Sequence, residues 1–229
     1  MPRPRVLLSW SSGKDSAWAL HVLRQQDEVE VVGLLTTVNS THGRVAMHAV
    51  REQLLEQQAE AVGLPLWKLP LPWPCPNDTY ESLLAAAMAR AKLEGIDEIA
   101  YGDLFLEDIR AYREARHAGT GIGTRFPLWQ QPTAALARSM LDGGLRACLT
   151  CVDPRQLDAS FAGRDFDAGL LAELPATVDP CGENGEFHTF AFAGPMFRTP
   201  VSIRKGHVVA RDGFVFADLL PGAGTPTEE

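Results

Sequence analysis

The feature that most constrains this chain is an apolar run, Val6-Leu7-Leu8, that breaks into Ser11-Ser12-Gly13-Lys14-Asp15-Ser16 and resumes as an amphipathic segment holding Ala17, Leu20, Val22 and Leu23. A strand that ends in a tight turn of small residues and restarts as a helix aims backbone N–H groups at one point. The helix dipole makes that point favourable for an anion such as phosphate. Ser11, Ser12 and Ser16 add hydroxyls there, and Lys14 adds a positive charge. The spacing is not that of the Walker A loop, in which Gly-Lys is followed directly by Ser or Thr. The plainer alternative is an ordinary turn with Asp15 or Ser16 capping the helix.

The rest of the first half repeats the strand–helix alternation. Strands are expected at Arg5–Ser9, Val29–Thr37, Leu66–Leu71 and Ile96–Tyr101. Helices are expected up to about Arg24, from about Ala46 to Val62 with Gly63 as its stop, and over Thr79–Leu93. This is an α/β pattern, a parallel sheet covered by helices. After Trp129 the texture changes. A helix at Ala134–Leu141 and a strand at Leu145–Val152 precede loops and then Glu186–Ala193, Val201–Lys205, His207–Arg211 and Phe214–Leu219. Lys205-Gly206 and Asp212-Gly213 read as hairpin turns. The expectation is a nucleotide-binding α/β unit over 1–129, a smaller α+β substrate unit over 130–220 with a cleft between them, and a polar, disordered tail over 221–229.

The chain has 229 residues, 45% hydrophobic and 22% charged, enough for a sizeable core. Its formal charge of −8 offers no diffuse basic surface, so nucleic acid is not an expected partner. An acidic protein that binds ATP needs Mg²⁺ and a local amide-lined or basic pocket. No apolar run reaches the ~20 residues of a membrane span. Met-Pro-Arg-Pro-Arg leads straight into the first strand without room for a signal peptide, so a cytoplasmic protein is expected. Four cysteines are too few for a disulfide scaffold. Cys148 and Cys151 form a C-x-x-C, but in a strand that spacing turns the two sulfurs to opposite faces. They read as small core residues rather than as a redox pair or half a zinc site.

Two further clusters carry chemistry. In Gly182-Glu183-Asn184-Gly185-Glu186-Phe187-His188-Thr189, Asn184-Gly185 is a turn signal, and Glu186 and His188 share one face of the following strand. Two carboxylates and an imidazole there suit metal binding, amine orientation or acid–base work, or else a solvated hairpin end. In Tyr101-Gly102-Asp103-Leu104-Phe105-Leu106-Glu107-Asp108-Ile109-Arg110, Asp103 follows a strand and is placed to hold Mg²⁺ on ATP. Glu107 and Asp108 suit the first turn of a helix, and Arg113 and Arg116 suit pairing with Glu114 on its exposed face. His42, Arg44, His48 and Arg51 lie within reach of phosphates, with His48 and Arg51 three apart on one helix face.

Taken with Arg44-Val-Ala-Met-His48-Ala-Val-Arg51 and Phe126-Pro-Leu-Trp129, these segments resemble the diphthine–ammonia ligase family. That family is a branch of the pyrophosphate-loop (PP-loop) ATP pyrophosphatases, which cleave ATP between its α and β phosphates. The resemblance runs from Arg5 to about Leu219. It implies a Rossmann-like, HUP-type nucleotide domain and a C-terminal substrate domain. It also implies a reaction in which ATP adenylates a small-molecule carboxylate acceptor, pyrophosphate leaves, and ammonia displaces AMP. By the same resemblance Ser11, Ser12, Gly13, Lys14, Asp15 and Ser16 bind the phosphates with Gly102 and Asp103 beside them, and Asp15 and Asp103 hold Mg²⁺. Lys14, Asp15, Glu183, Glu186 and His188 are the implied catalytic residues. His48, Arg51, Glu107, Asp108 and Asn184 join Glu183, Glu186 and His188 around the acceptor.

Two departures stand out. Ser12 occupies a position where the loop pattern has Gly, and a serine there lacks freedom for positive φ. Glu183-Asn-Gly-Glu-Phe-His188 replaces the Glu-Gly-Gly-Glu-Tyr/Phe-Glu of diphthine ligases and looks like a bacterial subgroup for which cobalamin salvage or a related amidation has been proposed. The alternatives are a tRNA-thiolating PP-loop enzyme working through paired cysteines, and a non-catalytic adenine-nucleotide sensor. A homodimer is left open.

Overall fold

A computed structural model of the chain describes residues 2–41, 43–45 and 50–222. His42, His48 and the tail from 223 onward lie outside the described residues. The first sheet holds β1 (Arg5–Ser9), β2 (Glu30–Asn39), β3 (Arg44–Val45), β4 (Leu66–Leu71), β5 (Glu98–Ala100) and β6 (Gly123–Arg125). Its helices are α1 (Lys14–Gln26), α2 (Glu52–Val62), α3 (Asn77–Leu93) and α4 (Glu107–His117). β1 is central, with β2 and then β4 parallel on one side and β5 and then β6 parallel on the other. Only β3 runs antiparallel, against the far end of β2. The chain moves outward from β1 to β4 and then crosses back to β5. The strand order therefore reverses between β1 and β5, the place where open α/β sheets bind ligands.

The second sheet is antiparallel, in the order β8-β7-β10-β9. It comprises β7 (Arg146–Val152), β8 (Phe187–Ala193), β9 (Ile203–Arg211) and β10 (Phe214–Pro221), preceded by α5 (Thr133–Asp142), with α6 (Ala168–Glu173) between β7 and β8. The architecture is thus α/β and Rossmann-like with an added antiparallel unit. Among the described residues no helix is long and apolar enough to cross a membrane.

The period-two alternation of β1 distributes its side chains to two cores. Leu7 faces a smaller cluster with Met88, Ala91, Ile96, Ile99 and Ile122. Val6 and Leu8 face a larger one that runs without interruption through Leu20 and Leu54 to Leu149, Phe190 and Leu219 of the second sheet. One core therefore spans both sheets. Gln58 of α2, fully buried, fixes the seam: its Nε2 donates to the carbonyls of Ser12 and Ala191, and its Oε1 accepts from Trp10 Nε1 at 2.9 Å. Asp218 of β10 closes it from the other end by accepting from Arg44 and Arg51.

Two local expectations are corrected. Of the helix expected from about Ala46, residues 46–49 lie outside the described residues, and the described helix begins at Glu52 because Arg51 is extended (φ −62°, ψ 138°) and bridges back to Arg44. Lys205-Gly206 is not a turn, since β9 continues through it. Its register against β10 shifts between Ala217 and Leu219, and a Cβ on Gly206 would stand 3.0 Å from the Asp218 carbonyl. The glycine marks an irregularity with close backbone approach. Asp212-Gly213, with φ values of 53° and 82°, is the hairpin turn.

Candidate active site

The cleft lies where the loop after β1, the loop after β5 and the segment before β8 converge. Ser12 sits in the left-handed region at φ 71° and is fully buried. Its carbonyl accepts from Ala191 N at 2.9 Å and from Gln58 Nε2 at 3.0 Å, so the second sheet and α2 hold this residue in a conformation that suits glycine. Its Oγ has no hydrogen-bond partner among the described residues. Ser12→Gly should therefore raise the unfolding free energy by about 1 kcal/mol, the relief of φ strain and of an orphaned hydroxyl outweighing the added chain entropy. Urea unfolding of the two proteins checks this.

The remaining hydroxyls brace the turn. Ser16 Oγ donates to the Gly13 carbonyl at 3.0 Å and lies 3.2 Å from Ser11 Oγ. The first amide of α1, Lys14 N, donates to Thr189 Oγ1 at 3.0 Å, so a side chain of β8 caps the helix. Lys14 itself turns inward and is 1% exposed. Its ammonium donates to both oxygens of Asp15 (3.0 and 2.8 Å) and to the Cys181 carbonyl, beside the rings of Phe166 and Phe187. Burial works against its charge, but Asp15, with Cys181 and Glu183 nearby, outweighs it and holds the ammonium pKa above its ordinary value.

After β5, Gly102 packs on the first turn of α1. Asp103 accepts from Nε and Nη2 of Arg113. Leu104 N donates to Glu183 Oε1 at 2.7 Å, tying this loop to the one before β8. That second loop is held by its own carboxylates. Asp179 accepts from Cys181 N and Glu183 N, and Glu186 Oε1 accepts from Asp179 N and Asn184 Nδ2.

Two adjoining cavities result, each about 280 Å³. The first is lined by Ser11, Lys14, Asp15, Ser16, Gly102, Asp103, Glu183 and His188, which brings both sequence clusters to one place. The second lies between the ends of β1, β2 and β4 and helices α3 and α4, walled by Leu35, Leu69, Tyr80, Leu84 and Tyr112. Ser9, Ser11, Tyr101 and Arg113 border both.

Several expected residues lie off these linings. Glu186 is buried behind its loop. Asn184 is turned away from the cavities, and Glu107 and Asp108 are exposed first-turn residues of α4. Arg51 is engaged by Asp218. Arg113 does not pair with Glu114 on an exposed face; Arg110 does, Arg116 pairs with Glu81, and Arg113 reaches in to Asp103. Thr189, Tyr101 and Arg113 are the contributors that sequence reasoning missed, because each acts across a chain crossing that no local pattern records. Cys148 and Cys151 are both buried, and desolvation pushes their thiols up to about 11 and about 12.

Burial, with Asp15 and Asp103 nearby, pushes the Glu183 carboxyl up to about 7, against the pull of the Leu104 amide. Burial and then Lys14 push His188 down to about 4, so it is a neutral imidazole at physiological pH. Glu183 binds a proton in the folded state that the unfolded chain releases near 4.5, so its contribution to stability falls as pH rises from 4.5 to 7. His188 acts with the opposite sign, gaining as pH rises from 4 to 6.5. Glu183→Gln should therefore become more stable relative to wild type as pH rises through that window. Unfolding curves at a series of pH values give the difference, and a constant difference would contradict the assignment.

Residues 4–118 match the diphthamide synthase N-terminal domain, and residues 132–215 match the diphthamide synthase C-terminal domain. The diphthine–ammonia ligase of Bos taurus is 25% identical over 236 residues, covering 94% of this chain and 88% of that protein. That of Danio rerio is 26% identical over 186 residues, covering 74% and 72%, and that of Homo sapiens 23% over 236 residues, covering 94% and 88%. These two domain matches together cover most of the chain, which therefore belongs to the diphthamide synthase family.

Proposed function

We propose that this protein is an ATP-dependent, AMP-forming ligase that adenylates a carboxylate and transfers ammonia to it. The observation that carries the reading is the convergence of the β1–α1 loop with Glu183 and His188 on one cavity. The adjoining cavity, with tyrosines and aliphatic walls, suits a nucleoside; the loop then receives the phosphates, and the Glu183–His188 end receives acceptor and ammonia. The nucleotide unit corresponds to 1–129 and the substrate unit to 130–220.

A carboxylate is inert to ammonia until one oxygen becomes a good leaving group, which adenylation supplies. The protein's part is to align the acceptor with the nucleotide and to stabilise charge as it develops. The N-terminal turn of α1 faces the phosphate cavity with its dipole favouring negative charge. Lys14 acts through Asp15 and the Cys181 carbonyl, positioning the turn from below. Glu183, anchored through one oxygen by Leu104 N, and neutral His188 face the reacting end, where an imidazole or a carboxylate can accept a proton from the attacking amine. Asp15 and Asp103 border the same cavity and are the oxygen donors that suit the Mg²⁺ accompanying the triphosphate. A neutral imidazole at 188 in place of a carboxylate favours an acceptor other than one bearing a quaternary ammonium, and corrinoid carboxylates are the first class to try. The buried, high-pKa thiols of Cys148 and Cys151 speak against thiolation.

The test is to incubate the protein with Mg-ATP, ammonium and a panel of carboxylates and to identify the nucleotide product. AMP with pyrophosphate, formed in step with one acceptor, is expected. ADP with phosphate would overturn cleavage between the α and β phosphates.

A further inference from the structure

Three cations line the two cavities among the described residues, and they are not equivalent. Lys14 is buried beneath the loop and already serves Asp15 and the Cys181 carbonyl. Arg116 borders only the nucleoside-sized cavity and is paired with Glu81. Arg113 borders both cavities, and its side chain is 30% exposed. Its guanidinium lies 4.2 Å above the ring of Tyr101 and bonds through Nε and Nη2 to the two oxygens of Asp103. Tyr101 is itself immobilised, by His117 Nε2 at 2.8 Å from its hydroxyl and by stacking on Phe126.

From this geometry we propose that Arg113 is the cation that receives the phosphate chain of the nucleotide, exchanging the Asp103 carboxylate for phosphate oxygens at the junction of the two cavities. The inference rests on the ATP reading above and adds a residue to it. A guanidinium fork fits a carboxylate and a phosphate alike, so exchange needs no new side-chain geometry. Stacking on Tyr101 keeps the fork in plane while its partner changes. Asp103 thus acts as a stand-in anion: it holds the arginine ready while the cavity is empty of phosphate, and its carboxylate is released toward the cleft when phosphate arrives.

The experiment measures binding of ATP and, separately, adenosine to the full chain by calorimetry. No divalent cation is present, so that any cation role of Asp103 is not read. Thermal unfolding verifies that each variant is folded. Arg113→Gln should weaken ATP binding about ten- to a hundredfold, the worth of charge-assisted hydrogen bonds, and change adenosine binding by no more than about threefold. Arg113→Lys, which keeps the charge but not the fork, should fall between. Asp103→Asn, which frees the arginine and removes a competing anion, should bind ATP at least as tightly as wild type. If Asp103→Asn loses as much ATP affinity as Arg113→Gln, Arg113 serves only to hold Asp103 and the proposal is wrong. Unchanged ATP binding by Arg113→Gln and Arg113→Lys also overturns it. A wild-type protein that binds ATP neither in this buffer nor with Mg²⁺ added would overturn the ligase reading itself, and this inference with it.

Discussion

Asp15→Ala is expected to abolish AMP formation and to lower the unfolding free energy by about 3 kcal/mol, the cost of leaving a buried partner charge uncompensated. The sequence alone suggests a purely functional loss at this position, with the fold intact, because Asp15 reads as a phosphate-loop residue. The structure places Lys14 beneath it, 1% exposed, with only the Cys181 carbonyl as its other hydrogen-bond acceptor among the described residues. Removing the carboxylate strands that ammonium against Phe166 and Phe187. Asp15 is itself a quarter exposed, which keeps the expected cost at the low end of the range for buried pairs. The double variant Lys14→Met/Asp15→Ala separates the two effects. It should recover most of the lost stability, since an unbranched apolar side chain fills the same channel, and should still form no AMP. Denaturant unfolding and product analysis read the two quantities independently. A fully stable and active Asp15→Ala protein would remove both the ion pair and the site from consideration.

Gly102→Val is expected to cost about 2 kcal/mol and most of the activity. A Cβ at Gly102 would stand 3.0 Å from the Asp15 carbonyl carbon and from Ser16 N, and 3.1 Å from the Asp15 carbonyl oxygen. These atoms are helix backbone and cannot swing aside as a side-chain tip can, so the β5 loop and the α1 turn must separate. Both line the first cavity. Separation also pulls Asp103 and Leu104 away from the partners they hold, Arg113 and Glu183. Gly102→Ala should show the same changes in smaller measure, and ATP affinity measured alongside unfolding tests whether the two losses move together.

The positions where sequence reasoning succeeded share a physical character. β1, its loop and α1 are continuous in the chain, and the apolar periodicity that buries Val6 and Leu8 on one face and Leu7 on the other is local information. The Gly182–Thr189 segment was legible for the same reason, since its turn is closed by near neighbours, Gly185 N to the Gly182 carbonyl at 3.1 Å. The failures are equally physical. Lys205-Gly206 has the composition of a turn, but pairing of β9 with β10 on both sides of it overrides that preference. Arg113 and Glu114 are adjacent on a helix that also offers Arg110, and only the position of Asp103 across the cleft decides which arginine turns inward.

The sequence by itself determined the alternation of strands and helices, the tight turn between β1 and α1, and the turn at Asn184-Gly185, because each depends on periodicity and spacing within some twenty residues. Tertiary structure alone decided how those parts are used. It set Ser12 in a left-handed conformation through Gln58 and Ala191, and capped α1 with Thr189 from the other sheet. It also drew Lys14 into the core, withdrew Glu186 behind its loop, and brought Arg113 to the junction of the two cavities. Each of these depends on groups far apart in the chain meeting in a low-dielectric seam, where an unpaired donor or charge is costly and the partner that arrives determines the role.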